Sequence, residues 1–155
     1  MYNLFMERAI RLSIDNVQSG SGGPFGAVVV KEGAIIGEAS NQVTSTNDPT
    51  AHAEILAIRG ACSKLAVFEL EGCEIYSSCE PCPMCLGAIY WARLTRVYFA
   101  NAAADAAKIG FDDSLIYREL AQPISQRKIP MIQMMREEAL AAFRSWENKP
   151  DKIVY

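Results

Sequence analysis

The sequence predicts a three-layer α/β/α fold around a mixed five-stranded sheet. Three observations predict it. Helical and strand-like patterns alternate at short intervals in the order αββαβαβαβα, as expected of strands sandwiched between helices. The first two strands are joined by a tight turn and must be antiparallel, whereas later strands joined through helices should be parallel with right-handed crossovers. The chain has 155 residues, half of them hydrophobic. That is enough for one domain burying roughly 70% of its unfolded surface.

Each element has a local cause. Asn3 can cap a helix over 4–18, in which Phe5, Ala9, Leu12 and Val17 keep an approximate 3.6-residue period and Gly20 and Gly22 stop it. Phe25–Val30 is apolar and β-branched, Lys31-Glu32-Gly33 turns, and Ala34–Ala39 runs back as a hairpin. Asn41–Pro49 is polar and reads as a loop, followed by a helix over about 50–66. Gly72 precedes a strand at Cys73–Ser78, and Pro81 or Cys82 opens a helix ending near Arg93. Arg96–Ala100 is a strand, while the Ala-rich stretch Asn101–Gly110 has no clear pattern. Asp112 or Asp113 can cap a short helix to about Leu120. Pro130–Met135 reads as the fifth strand and Glu137–Trp146 as an amphipathic helix. Pro150 separates that helix from a tail whose last residues, Ile153-Val154-Tyr155, are apolar enough to expect burial.

Composition narrows the function classes. The net charge is -3, and Arg127-Lys128 is the longest basic run, so the sequence predicts no nucleic-acid partner. The longest apolar stretch, near Met84–Ala92, is far short of the roughly 20 residues a membrane helix needs, so no membrane partner is expected. Charged residues from Glu7 to Asp15 interrupt any signal-peptide core. Five cysteines, three of them between Cys79 and Cys85, do not resemble a secreted disulfide framework. They fit a cytoplasmic chain with a metal or redox site.

The chemistry concentrates in two segments. The single histidine lies in Thr50-Ala51-His52-Ala53-Glu54, at the start of one predicted helix. Pro81-Cys82-Pro83-Met84-Cys85 starts another. Together they match the H-x-E…P-C-x-x-C signature of zinc deaminases. Thiolates are favoured at a helix N-terminus. One imidazole and two thiolates neutralise Zn²⁺ and leave the fourth tetrahedral position open, as catalytic zinc requires. His52, Cys82 and Cys85 are therefore the expected metal ligands, one zinc per chain. Glu54 is the expected proton carrier. Residues two apart in a helix point away from each other, so His52 and Glu54 can share a site only at the helix tip.

Rival readings exist. Cys79 with His52, Cys82 and Cys85 could close a structural Cys₃His zinc site, leaving Glu54 without a role. Cys82-Pro83-Met84-Cys85 also resembles a thioredoxin-type redox motif, which leaves His52 and Glu54 unexplained. A non-catalytic binding module with a vestigial site is opposed by the intact ligands and Glu54.

The whole pattern resembles the cytidine/deoxycytidylate deaminase superfamily. The resemblance rests on Gly23-Pro24-Phe25-Gly26-Ala27, His52-Ala53-Glu54, Cys79-Glu80-Pro81-Cys82-Pro83-Met84-Cys85 and Gly87-Ala88-Ile89. Asn47–Glu54, Tyr90-Trp91-Ala92-Arg93 and Gly110-Phe111-Asp112-Asp113-Ser114 are similar to the bacterial small guanine deaminases. The resemblance implies a cytidine-deaminase-like fold and hydrolysis of guanine to xanthine and ammonia, with guanosine, cytosine or adenosine in tRNA as the alternative substrates. It implies that Asn41 holds a purine base, that Phe25 lies beside it and that Asp113 assists catalysis. For Phe25 core packing competes, and for Asp113 a helix cap does. It further implies a homodimer in which a C-terminal segment, about 136–155, closes its own or its neighbour's active site, with Tyr155 meeting the base. Ala102–Ala104 departs from the more polar residues expected there.

Overall fold

The computed structural model describes residues 3–155. They fall into two compact units, one ending at Asp113 and the other comprising Ser114–Tyr155.

The first unit holds a four-stranded sheet with helices on both faces. Its elements are α1 (Leu4–Gln18), β1 (Gly26–Lys31), β2 (Ala34–Ser40), α2 (Val43–Thr46), α3 (Ala53–Leu65), β3 (Cys73–Cys79), α4 (Pro83–Trp91), β4 (Arg96–Asn101) and α5 (Ala103–Lys108). Asn3 caps α1, its side-chain oxygen accepting from the N–H groups of Phe5 and Met6 at 3.0 Å. The strands lie in the order β2-β1-β3-β4. β1 is antiparallel to both β2 and β3, and β3 is parallel to β4 through α4. The sheet is mixed, as the hairpin and the later crossovers require.

The two faces follow from strand alternation. Val28, Val30 and Tyr76 pack with Ala9, Phe5, Met6 and Leu12 of α1. Ala27, Val29 and Ile75 point the other way, onto Ala57, Ile58 and Ala61 of α3 and Ile89 of α4. Gly37 lets α3 approach β2, because a Cβ there would come within 2.3 Å of the Ala57 carbonyl. Within α1 the inward stripe runs through Ala9, Ser13 and Asn16. Val17, expected on that face, is exposed instead.

The second unit contains α6 (Ser114–Ala121), a 3₁₀ turn (Ile124–Gln126) and α7 (Arg136–Glu147), and none of its residues is buried. The expected fifth strand at Pro130–Met135 does not form, and those residues have no regular structure. Pro130 lacks an N–H to donate, and Met135 takes a left-handed backbone with φ 52° that ends an extended run. Ile153, Val154 and Tyr155, expected to be buried, are exposed in the single chain.

Candidate active site

Two helix N-termini build the site. His52 is the N-cap of α3, with an extended backbone at ψ 152°, and Cys82 is the N-cap of α4 at ψ 168°. The first turns begin from these residues: Leu56 donates its N–H to the His52 carbonyl, and Leu86 to that of Cys82. Pro83 takes the first position of α4, where its missing N–H costs nothing. Cys85 follows within that turn and is fully buried.

His52 Nδ1 lies 3.5 Å from Sγ of Cys82 and 3.5 Å from Sγ of Cys85. Bond lengths of about 2.3 Å to sulfur and about 2.0–2.1 Å to nitrogen put tetrahedral ligands roughly 3.5 Å apart. The three donor atoms all lie within 4.8 Å of one another, so they fit zinc. Cys79 is outside this group. Its thiol points at the Ala102 carbonyl, 3.9 Å away, and burial with the nearby Glu54 charge pushes its pKa up to about 11. A closed Cys₃His set is not assembled among the described residues.

The electrostatics separate the two thiols. A hydrogen bond from Cys85, aided by His52, pushes the Cys82 thiol down to about 4 despite its burial. Cys85, donating to Cys82 and buried, is pushed up. Cys82 in turn raises the pKa of His52. Both helix ends add positive potential where this negative charge collects.

Glu54 occupies the first turn of α3, two residues beyond His52. Because His52 is the cap and not a helical residue, the helical two-residue divergence does not apply. The Glu54 carboxyl reaches toward Cys85 and is only 6% exposed. Burial pushes its pKa up, and the charge at Cys82 adds to this. A carboxyl raised in this way holds a proton more readily than a solvated one, as a proton carrier needs.

Asn41 is buried just after β2 and is tied to both flanks of the site. Its N–H donates to the Phe25 carbonyl at 3.0 Å, and Gln42 donates to the carbonyl of Ala51, the residue before His52. Its side-chain oxygen accepts from Val43 N–H at 3.2 Å. Gly22 lets the preceding loop close on it, since a Cβ would meet the Asn41 carbonyl at 2.3 Å. Phe25 is half-buried and meets Phe111 edge-on, with ring centroids 4.9 Å apart. Asp113 directly precedes α6, and burial together with the Cys82 charge raises its pKa. Tyr155 belongs to the second unit.

Three residues escaped the sequence reading. Asn16 donates to the carbonyls of Gly23 and Asn41, at 2.8 and 2.9 Å. Its one visible signal is a polar residue on the inner stripe of α1. Phe111, paired with Phe25, lies in the segment Gly110-Phe111-Asp112-Asp113-Ser114 that carries the resemblance, which assigned it no role of its own. Ser77 donates its hydroxyl to Oε1 of Glu54 at 3.2 Å. A pair of serines inside an otherwise buried strand was its only mark.

Comparison with known proteins adds a family and relatives. Residues 2–101 match the cytidine and deoxycytidylate deaminase zinc-binding region. The chain is 53% identical to the guanine deaminase of Bacillus subtilis over 154 residues, 99% of each. It superimposes on an X-ray structure of guanine deaminase from that organism with a TM-score of 0.95 and 52% identity, again covering 99% of both chains. A tRNA-specific adenosine deaminase of Aquifex aeolicus is 52% identical over 77 residues, which is 50% of this chain and 51% of that protein.

Proposed function

Because the chain belongs to the cytidine and deoxycytidylate deaminase zinc-binding family, we propose that it hydrolyses guanine to xanthine and ammonia. One observation carries the choice of guanine. Likeness to a guanine deaminase runs the length of both chains, well past Asn101 where the zinc-binding region ends.

His52, Cys82 and Cys85 hold one zinc ion per chain, which supplies the Lewis acidity that makes water nucleophilic near neutral pH. The remaining work belongs to the chain's own side chains. Glu54 takes a proton from the attacking water and gives it to a ring nitrogen of the base as the C2–O bond forms, then takes the remaining proton from the new C2 hydroxyl and gives it to the amine as the C2–N bond breaks. Its raised pKa supports that two-way role. Asp113 assists in delivering protons. Asn41 offers an amide that both donates and accepts, as a purine edge demands. Phe25 covers a face of the base.

The reading extends to assembly. The chain forms a homodimer, and residues 136–155 close its own or its partner's active site, bringing Tyr155 to the base. Phe143, Trp146, Ile153, Val154 and Tyr155 are exposed apolar or aromatic side chains, of the kind that mark interaction surfaces. The protein works in the cytoplasm on a free base. Its net charge of -3 supports the absence of a nucleic-acid partner, and no helix among the described residues is long and apolar enough to cross a membrane.

The direct test is incubation of the zinc-loaded protein with guanine. Xanthine and ammonia should appear in equal amounts. Absence of both overturns the reading.

A further inference from the structure

Two consecutive serines of β3 do different jobs. Ser78 accepts the N–H of Gly26 at 3.0 Å and thereby secures the start of β1. Ser77 faces the other side of the strand, is 2% exposed, and donates its hydroxyl to Oε1 of Glu54 at 3.2 Å. On the neighbouring strands its register partners are Ala27 and Phe99, neither of which has a side-chain donor.

A carboxyl at the end of a Glu side chain turns freely about its last torsion. A proton carrier gains if that torsion is fixed, since its free oxygen must face both donor and acceptor in turn. Ser77 is held by the centre of the sheet, so its hydroxyl is a fixed reference. With Oε1 engaged as an acceptor, the proton is left to Oε2. We propose that Ser77 is a positioning residue that clamps Oε1 of Glu54 and reserves Oε2 for proton transfer. The proposal rests on the reading of Glu54 as proton carrier.

Ser77→Thr and Ser77→Val test it as a pair, because threonine and valine share a shape and differ in the hydroxyl. Both should bind one zinc and show similar KM for guanine. Ser77→Thr should turn over about tenfold or more faster than Ser77→Val, as expected for a hydrogen bond to a charged acceptor. A second readout needs no turnover. The ¹³C carboxyl signal of Glu54, assigned by its loss in Glu54→Gln, should shift in Ser77→Val and stay near its parent position in Ser77→Thr. Ser77→Ala makes the comparison with the parent chain without added volume, should the valine variant not fold. Equal kcat in the threonine and valine variants, or a kcat for Ser77→Ala within about threefold of the parent, overturns the proposal while Glu54→Gln is inactive. So does a loss of zinc or a change confined to KM in Ser77→Ala. Turnover retained in Glu54→Gln overturns the reading of Glu54 itself.

Discussion

Sγ of Cys82 lies 3.5 Å from Nδ1 of His52, although thirty residues separate them in the chain. The contact exists because each residue is the cap of a helix that packs on one face of the sheet, so the two helix tips bring their ligands together. It implies that zinc depends on both caps and on Cys85, and not on Cys79. Cys82→Ala and Cys85→Ala should each lose zinc, with a lower Tm because metal binding is coupled to folding. Cys79→Ala should keep about one zinc per chain. Metal analysis of the purified variants decides it, and zinc loss from Cys79→Ala would restore the closed structural site.

The two thiols are unequal in the metal-free protein. With its thiol pushed down to about 4, Cys82 is ionised near neutral pH, whereas Cys85 keeps its proton. Zinc must displace that proton, and the pKa of His52 is raised by Cys82, so protons compete for the site and zinc affinity should fall on acidification. The thiolate absorbance of the metal-free protein at neutral pH should be lower in Cys82→Ala. Absorbance unchanged in Cys82→Ala would contradict the ionised state of Cys82.

Glu54→Gln keeps the shape of the side chain and removes its ability to carry a proton. Turnover of guanine should fall roughly 10²–10⁴-fold while zinc content and circular dichroism hold. Activity within a few-fold of the parent would remove Glu54 from the mechanism.

Most of the first unit was legible in the sequence. The helical period with an Asn cap located α1, the β-branched run and Lys31-Glu32-Gly33 located the hairpin, and the crossover rule set β3 parallel to β4. The grouping of His52, Cys82 and Cys85 was legible because all three lie at or next to a helix start. The shared tip of His52 and Glu54 was legible only as a condition, since it depends on the cap backbone. Ser77 was hidden because a contact between a strand and a helix tip is tertiary and leaves no local period. Residues 130–135 misled because an apolar run reads as a strand, while the Met-rich composition and Pro130 weaken pairing.

The exposed tail gives a test of assembly. Deleting Ile153–Tyr155 should cut guanine turnover at least about tenfold, with zinc content and helical signal retained. Light scattering should show a dimer for the full chain. A fully active monomer, or a truncation without kinetic effect, would contradict both closure and exchange.

The substrate is the central claim, and a competition of substrates tests it most directly. Zinc-loaded protein is given guanine, guanosine, adenine, cytosine and tRNA in parallel, and ammonia release is followed. Guanine should be deaminated fastest, with tRNA untouched, and Asn41→Ala should lower kcat/KM for guanine by about tenfold or more because buried polar edges of the base lose their partner. Faster deamination of adenosine in tRNA than of guanine would contradict the account while leaving the zinc site intact.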